Sequence, residues 1–230
     1  MTAEPAQAIE LTIDGAPVRV SPGATILQAA RQAGAEIPTL CYHPELTANA
    51  VCRLCCVEVA GARTLQPACV VRVTPGMAVS TASPRVQTAR RVLLELLAST
   101  VDLHDAPEIQ AQAARYGADP GRFAGGRRRE HPVYVDNPFY IRDYSQCVMC
   151  WRCIQVCADD VQHTFALTWG GRGFESHVAT AFGEDMPDTT CVFCGNCVGV
   201  CPTGALKGKL EYELELRLRS GGPGATETER

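Results

Sequence analysis

Cysteine spacing is where this sequence shows its chemistry. Two runs stand out: Cys147-x2-Cys150-x2-Cys153-x3-Cys157 and Cys191-x2-Cys194-x2-Cys197-x3-Cys201-Pro202. Thiolates bind soft metals, and cysteines this crowded cannot pair as disulfides, so both runs read as metal ligation. Three thiolates two residues apart wrap one corner of a cubic [4Fe–4S] cluster while their backbone N–H groups face its sulfurs. The fourth sits on the following helix, which packs on the other cluster, so the runs exchange their last ligands. The expected sets are Cys147, Cys150 and Cys153 with Cys201, and Cys191, Cys194 and Cys197 with Cys157. A pair of zinc sites is the competing reading. Zinc takes four ligands, usually from two separated Cys pairs, and two copies of a three-plus-one spacing fit that plan badly.

A third set lies upstream, as Cys41-x10-Cys52-x2-Cys55-x13-Cys69. Four thiolates, two per iron, suffice for a [2Fe–2S] cluster. One Cys, a C-x2-C pair and a distant fourth make the plant-type plan, with a first gap longer than the usual x4. Scattered structural cysteines are the bland alternative, set against the closeness of the pair. Of the thirteen cysteines, Cys56 alone falls outside these sets. It directly follows Cys55, so its side chain is expected to point away and serve as a small buried apolar group. The two downstream runs repeat the bacterial two-cluster ferredoxin pattern.

The elements that must hold these residues read as α+β. Residues 9–13 alternate as a half-buried strand, Asp14-Gly15 signals a hairpin, and Val18 and Val20 continue on a second strand. Residues 25–33 read as a short helix stopped by Gly34, and Val57-Glu58-Val59 as a later strand. Strand, strand, helix and Cys-bearing loop give a β-grasp order for residues 1–82. Residues 84–99 carry the clearest helix signal, with Val86, Ala89, Leu93 and Leu97 on one face and Arg90, Arg91 and Glu95 on others. A second helix is expected over 106–116 and a linker over 117–133, so that 83–133 form a helical connector. Residues 134–212 hold the two tight runs. Residues 213–230 form a tail, Gly-, Thr- and Glu-rich from Ser220 and expected to be disordered there.

The bulk composition narrows the function. Hydrophobic residues make up 46% and charged residues 20%, with a net charge of −4, which fits a globular chain and argues against nucleic acid as main partner. No stretch has the run of about 18 apolar residues a membrane helix requires. The start, with Glu4 and Glu10, is not a secretory signal, so a cytoplasmic location is expected. Gly170-Gly171-Arg172-Gly173 does not open a helical pattern, and no phosphate-binding fingerprint occurs elsewhere. Neither flavin nor nicotinamide is therefore expected on this chain. No nucleophile–base pair stands out, so no catalytic residue is assigned. Arg127-Arg128-Arg129 reads as a solvated loop, with a docking contact to an acidic partner as the alternative.

Further segments carry a resemblance: Pro38-Thr39-Leu40-Cys41, Cys52-Arg53-Leu54-Cys55, Asn137-Pro138-Phe139, Gly171-Arg172-Gly173-Phe174-Glu175 and Cys191-Val192-Phe193-Cys194-Gly195-Asn196-Cys197. Residues 8–210 resemble the N-terminal iron–sulfur region of the large iron–sulfur subunit of respiratory complex I. They are equally similar to the related regions of NAD-linked formate dehydrogenases and of iron and nickel–iron hydrogenases. The resemblance implies a [2Fe–2S] β-grasp domain, a helical connector and a two-[4Fe–4S] domain. It also implies an electron-relay role between a flavin- and NAD(P)-binding subunit and a separate catalytic subunit. Three features depart from the pattern. The family's further cluster, held by one His and three Cys, has no counterpart in 101–110, where His104 stands alone and Pro107 takes the place of the last Cys. No catalytic domain follows residue 210. Ala50-Val51 and Trp151 stand where Gly is usual. A redox sensor is the alternative function, although it needs fewer clusters than these cysteines provide.

Overall fold

The computed structural model describes residues 7–219. The chain forms two compact units, one from residues 7–99 and 108–126, the other from 100–107 and 127–219. The segment 83–133 is thus divided between them.

In the first unit β1 (Ile9–Ile13) and β2 (Ala16–Val20) form a hairpin with Ile9 opposite Val20 and Ile13 opposite Ala16. Asp14 and Gly15 have φ of 49° and 83°, the paired positive values that match a two-residue turn to strand twist. Alternation puts Leu11, Ile13, Val18 and Val20 on the buried face. The helix α1 (Ile26–Gln32) starts in a capping box. Gln28 N donates to Thr25 Oγ1 at 3.2 Å, and Thr25 N donates to Gln28 Oε1 at 2.8 Å. Further along, β3 (Cys56–Val59), β4 (Gln66–Pro67) and β5 (Ala78–Ser80) complete a sheet of order β2-β1-β5-β3-β4. β5 runs parallel to β1, and the other neighbours are antiparallel. Ile26, Leu27, Ala29 and Ala30 of α1 pack with the inner sheet face into one core that includes Cys55 and Cys69. Each fully buried Ile, Leu or Val there contributes about 1.5–3 kcal/mol.

Two helices follow, α2 (Pro84–Thr100) and α3 (Pro107–Arg115). The buried stripe of α2 is Val86, Arg90 and Leu94 with Glu95, while Ala89, Leu93 and Leu97 are only half-buried. Arg90 and Glu95 therefore do not lie on outer faces, as their polarity suggests. Each has a polar partner within the unit instead. Arg90 donates to Cys56 O at 2.8 Å and to Tyr116 Oη at 2.9 Å, and Glu95 accepts from Arg122 at 2.8 Å.

The second unit runs β6 (Val133–Tyr134), β7 (Tyr140–Asp143), α4 (Arg152–Cys157), β8 (Thr168–Gly170), β9 (His177–Ala179), α5 (Asn196–Gly199), β10 (Leu206–Gly208) and α6 (Lys209–Arg219). Its antiparallel sheet has the order β10-β7-β6, β8 and β9 form a hairpin, and α4 packs on α5. The part of the expected tail that is described is helical in α6, and residues 220–230 lie outside the described residues.

The segment 100–107 is tied into this unit. Lys207, buried on β10, donates to both Glu215 oxygens at 2.7 Å and pairs with Asp105. Asp105 O accepts from Gly204 N at 3.0 Å, where any side chain on Gly204 would collide with Asp105 and Gln146. His104 pairs with Asp102 at 3.0 Å. The basic triplet is held rather than merely solvated. Arg127 pairs with Glu175, Arg128 donates to Val101 O at 2.8 Å, and Arg127 and Arg129 lie 4.9 and 5.5 Å from the Phe174 ring.

Candidate metal centres

The two tight runs fold alike. Each C-x2-C loop precedes a short helix, α4 in one and α5 in the other. Met149 and Phe193, the residues before the second Cys of each run, have φ of 57° and 54°. The residues after it, Trp151 and Gly195, both have φ of 76°. Interspersing left-handed residues turns successive N–H groups inward, which makes a concave surface for negative charge. Phe193 N accordingly donates to Cys191 Sγ at 3.3 Å, and Met149 N points at Cys147 Sγ.

Two cavities result. Cys147, Cys150, Cys153 and Cys201 line one, with Tyr144 and Trp151 beside them. Cys157, Cys191, Cys194 and Cys197 line the other, with Tyr140 and Thr164. Each cavity therefore draws three cysteines from one run and the last cysteine of the other. Hydroxyls approach the sulfurs: Tyr140 Oη lies 3.3 Å from Cys191 Sγ, Thr164 Oγ1 3.4 Å from Cys157 Sγ, and Thr203 Oγ1 3.7 Å from Cys201 Sγ. Burial raises the Tyr140 pKa above the ordinary phenol value, which keeps it a proton donor. Burial pushes the Cys147 and Cys197 thiols up to about 12 and raises Cys153 as well. Such thiols keep their protons until a metal displaces them.

In the first unit the sulfurs associate in pairs. Cys41 pairs with Cys52, whose thiol is held down to about 6 by the hydrogen bond from Cys41, with the N–H groups of Leu54, Cys41 and Leu40 helping. Cys41 itself is raised by the same bond. Cys69 and Cys55 repeat the arrangement, with Cys55 lowered and Cys69 raised. Cys41 N donates to Cys52 Sγ at 3.4 Å. Each pair also feels the charge of the other. Ala50 and Arg53, either side of Cys52, take φ of 55° and 61°. Cys56 is buried at the head of β3 beside Arg90.

The donor sets fit iron–sulfur clusters. They are all cysteine sulfur, which as thiolate selects soft centres. Among the described residues no three His, Cys, Asp or Glu side chains converge on a point that suits a single metal ion. The cysteines of the tight runs surround volumes instead. The other histidines bind backbone, His163 at Ala158 O (3.0 Å) and His177 at Glu175 O (2.8 Å). Sequence reasoning misses Tyr140, Thr164 and Thr203. No spacing rule marks them, because each reaches its sulfur through the fold or a local turn.

Comparison with known proteins finds iron–sulfur relatives. Residues 6–84 match the model of a 2Fe-2S iron-sulfur cluster binding domain, and residues 138–207 that of the ferredoxin-like domain of NADH-quinone oxidoreductase subunit 3. The NADP-reducing hydrogenase subunit HndD of Solidesulfovibrio fructosivorans is 41% identical over 215 residues, covering 86% of this chain and 36% of that protein. The mitochondrial 78 kDa subunit of NADH-ubiquinone oxidoreductase from Neurospora crassa is 34% identical over 218 residues, covering 90% of this chain and 28% of its own. The chain thus spans about a third of the length of these curated relatives. A chain in the crystal structure of an NAD+-reducing [NiFe]-hydrogenase in the H2-reduced state superimposes with a TM-score of 0.76 at 31% identity, covering 87% of each chain. Among the described residues no helix is long and apolar enough to cross a membrane.

Proposed function

Since this chain belongs to the family of iron–sulfur subunits of NADH dehydrogenases and NAD- or NADP-reducing hydrogenases, we propose that it relays single electrons within a soluble, cytoplasmic multi-subunit oxidoreductase. In this reading residues 1–82 are a β-grasp [2Fe–2S] domain with Cys41, Cys52, Cys55 and Cys69 as ligands. Residues 83–133 are the connector. Residues 134–212 hold one [4Fe–4S] cluster on Cys147, Cys150, Cys153 and Cys201 and a second on Cys191, Cys194, Cys197 and Cys157. Residues 213–230 form a C-terminal segment that begins in α6. The partners are a flavin- and NAD(P)-binding subunit and a catalytic subunit of formate dehydrogenase, hydrogenase or other low-potential reductase type.

Clusters bound here supply one-electron exchange at low potential. The chain supplies the rest. Its thiolates fix the irons, its buried walls exclude water, and its N–H and O–H donors aimed at sulfur set how readily negative charge is accepted. The observation that supports this reading best is the gathering of the downstream cysteines into two cavities with four thiols each.

Anaerobic purification with metal analysis and EPR tests it. About ten irons per chain are expected, with one [2Fe–2S] and two [4Fe–4S] signals. Cys150→Ser should damage one [4Fe–4S] signal and leave the [2Fe–2S] signal intact. Zinc in place of iron, in material never exposed to air, overturns the relay reading.

A further inference from the structure

We propose that Trp151 shields the cluster of Cys147, Cys150, Cys153 and Cys201 from water and lowers its potential, leaving the second [4Fe–4S] cluster as the solvent-facing one. This rests on the cluster assignment proposed above. The two runs act as an internal control. Trp151 and Gly195 occupy equivalent positions, one residue after the second Cys, with nearly the same backbone: φ 76°, ψ −10° and φ 76°, ψ −4°. Glycine adopts this left-handed conformation freely, whereas a Cβ-bearing, bulky residue is strained in it. A strained residue persists only where its surroundings hold it, and such positions concentrate at functional sites.

The surroundings of Trp151 are specific. Trp151 lines the first cavity while staying 38% exposed to solvent, and its ring lies 5.8 Å from that of Trp169 on β8. The equivalent cysteines differ accordingly. Cys150, before Trp151, is 7% exposed, whereas Cys194, before Gly195, is exposed. Nothing lies within 4 Å of the place a side chain on Gly195 would occupy. Crowding therefore does not dictate glycine there, and the space over Cys194 is open. Water stabilises the extra negative charge of a reduced cluster, so the shielded cluster takes an electron less readily than the open one. The open cluster is then the one that a second redox protein can approach.

The test uses anaerobically purified, iron-loaded protein. Trp151→Gly relaxes the backbone and removes the shield. Trp169→Ala removes the neighbouring ring without touching the ligand loop, and serves if the first variant does not fold. Two readouts apply: the rate of iron release to a ferrous chelator, and the potential of each [4Fe–4S] centre by EPR-monitored titration. In both variants one [4Fe–4S] cluster should release iron severalfold faster and shift to higher potential, while the other keeps its wild-type values. Unchanged release and potentials in a folded variant of wild-type iron content overturn the shield alone. Wild-type protein that purifies without iron overturns the cluster assignment and the shield together.

Discussion

At Tyr140 a single hydroxyl joins a strand to a candidate ligand. The residue is 3% exposed on β7, and its Oη reaches the sulfur of Cys191 at 3.3 Å across 51 residues of sequence. In the proposed cluster Cys191 would bind as a thiolate, which leaves the hydroxyl as the donor of this bond. A donor dipole on a ligand sulfur favours the more negative, reduced state, so it raises the potential of that cluster. Tyr140→Phe removes the dipole and little volume. The potential of the cluster on Cys157, Cys191, Cys194 and Cys197 should fall in an EPR-monitored titration, while the other two centres stay put. The lost hydrogen bond should cost about 1 kcal/mol of stability. An unchanged potential in the folded variant would mean that the hydroxyl is only a packing group.

The helix α2 shows what periodicity misses at the scale of an element. Its extent is readable, since the pattern predicts residues 84–99 and Pro84–Thr100 is found. Its orientation is not. Sorting side chains by polarity sends Arg90 to solvent, yet it is 1% exposed. The reason lies on other elements, in the hydroxyl of Tyr116 after α3 and the carbonyl of Cys56 on β3, which accept from Arg90 Nη1 and Nη2. Arg90 thereby ties the connector helix to the strand that follows the Cys52-x2-Cys55 loop. Arg90→Ala takes the donor from the buried Cys56 carbonyl and from the half-buried Tyr116 hydroxyl and opens a cavity, so denaturant unfolding should show a loss of about 3 kcal/mol. Arg91→Ala is the control. Its side chain is 44% exposed and its contact with Glu95 is 4.0 Å, so its cost should stay within about 0.5 kcal/mol. Equal effects of the two changes would remove Arg90 from its anchoring role.

For the whole molecule, the sequence is most informative where chemistry fixes short-range spacing. The Asp14-Gly15 hairpin and the short helix over 25–33 are local patterns, and the structure has both. The tie of the 100–107 segment through Lys207 and the helical continuation into α6 are not readable, because partners such as Asp105 and Lys207 meet only through the fold. The proposed exchange of fourth cysteines between the runs would have a consequence that separates it from a simpler arrangement, in which each run holds its own cluster. Under exchange, Cys150 and Cys201 serve one cluster and Cys157 serves the other. Cys150→Ala with Cys201→Ala then removes a single [4Fe–4S] centre and leaves about six irons, while Cys150→Ala with Cys157→Ala removes both and leaves about two. If each run held its own cluster the two results would be reversed. The [2Fe–2S] signal should survive in both variants, since Cys41, Cys52, Cys55 and Cys69 belong to the other compact unit. Iron analysis and EPR of the two double variants, prepared anaerobically side by side, therefore decide between exchanged and unexchanged ligands by which variant keeps the larger share of its iron.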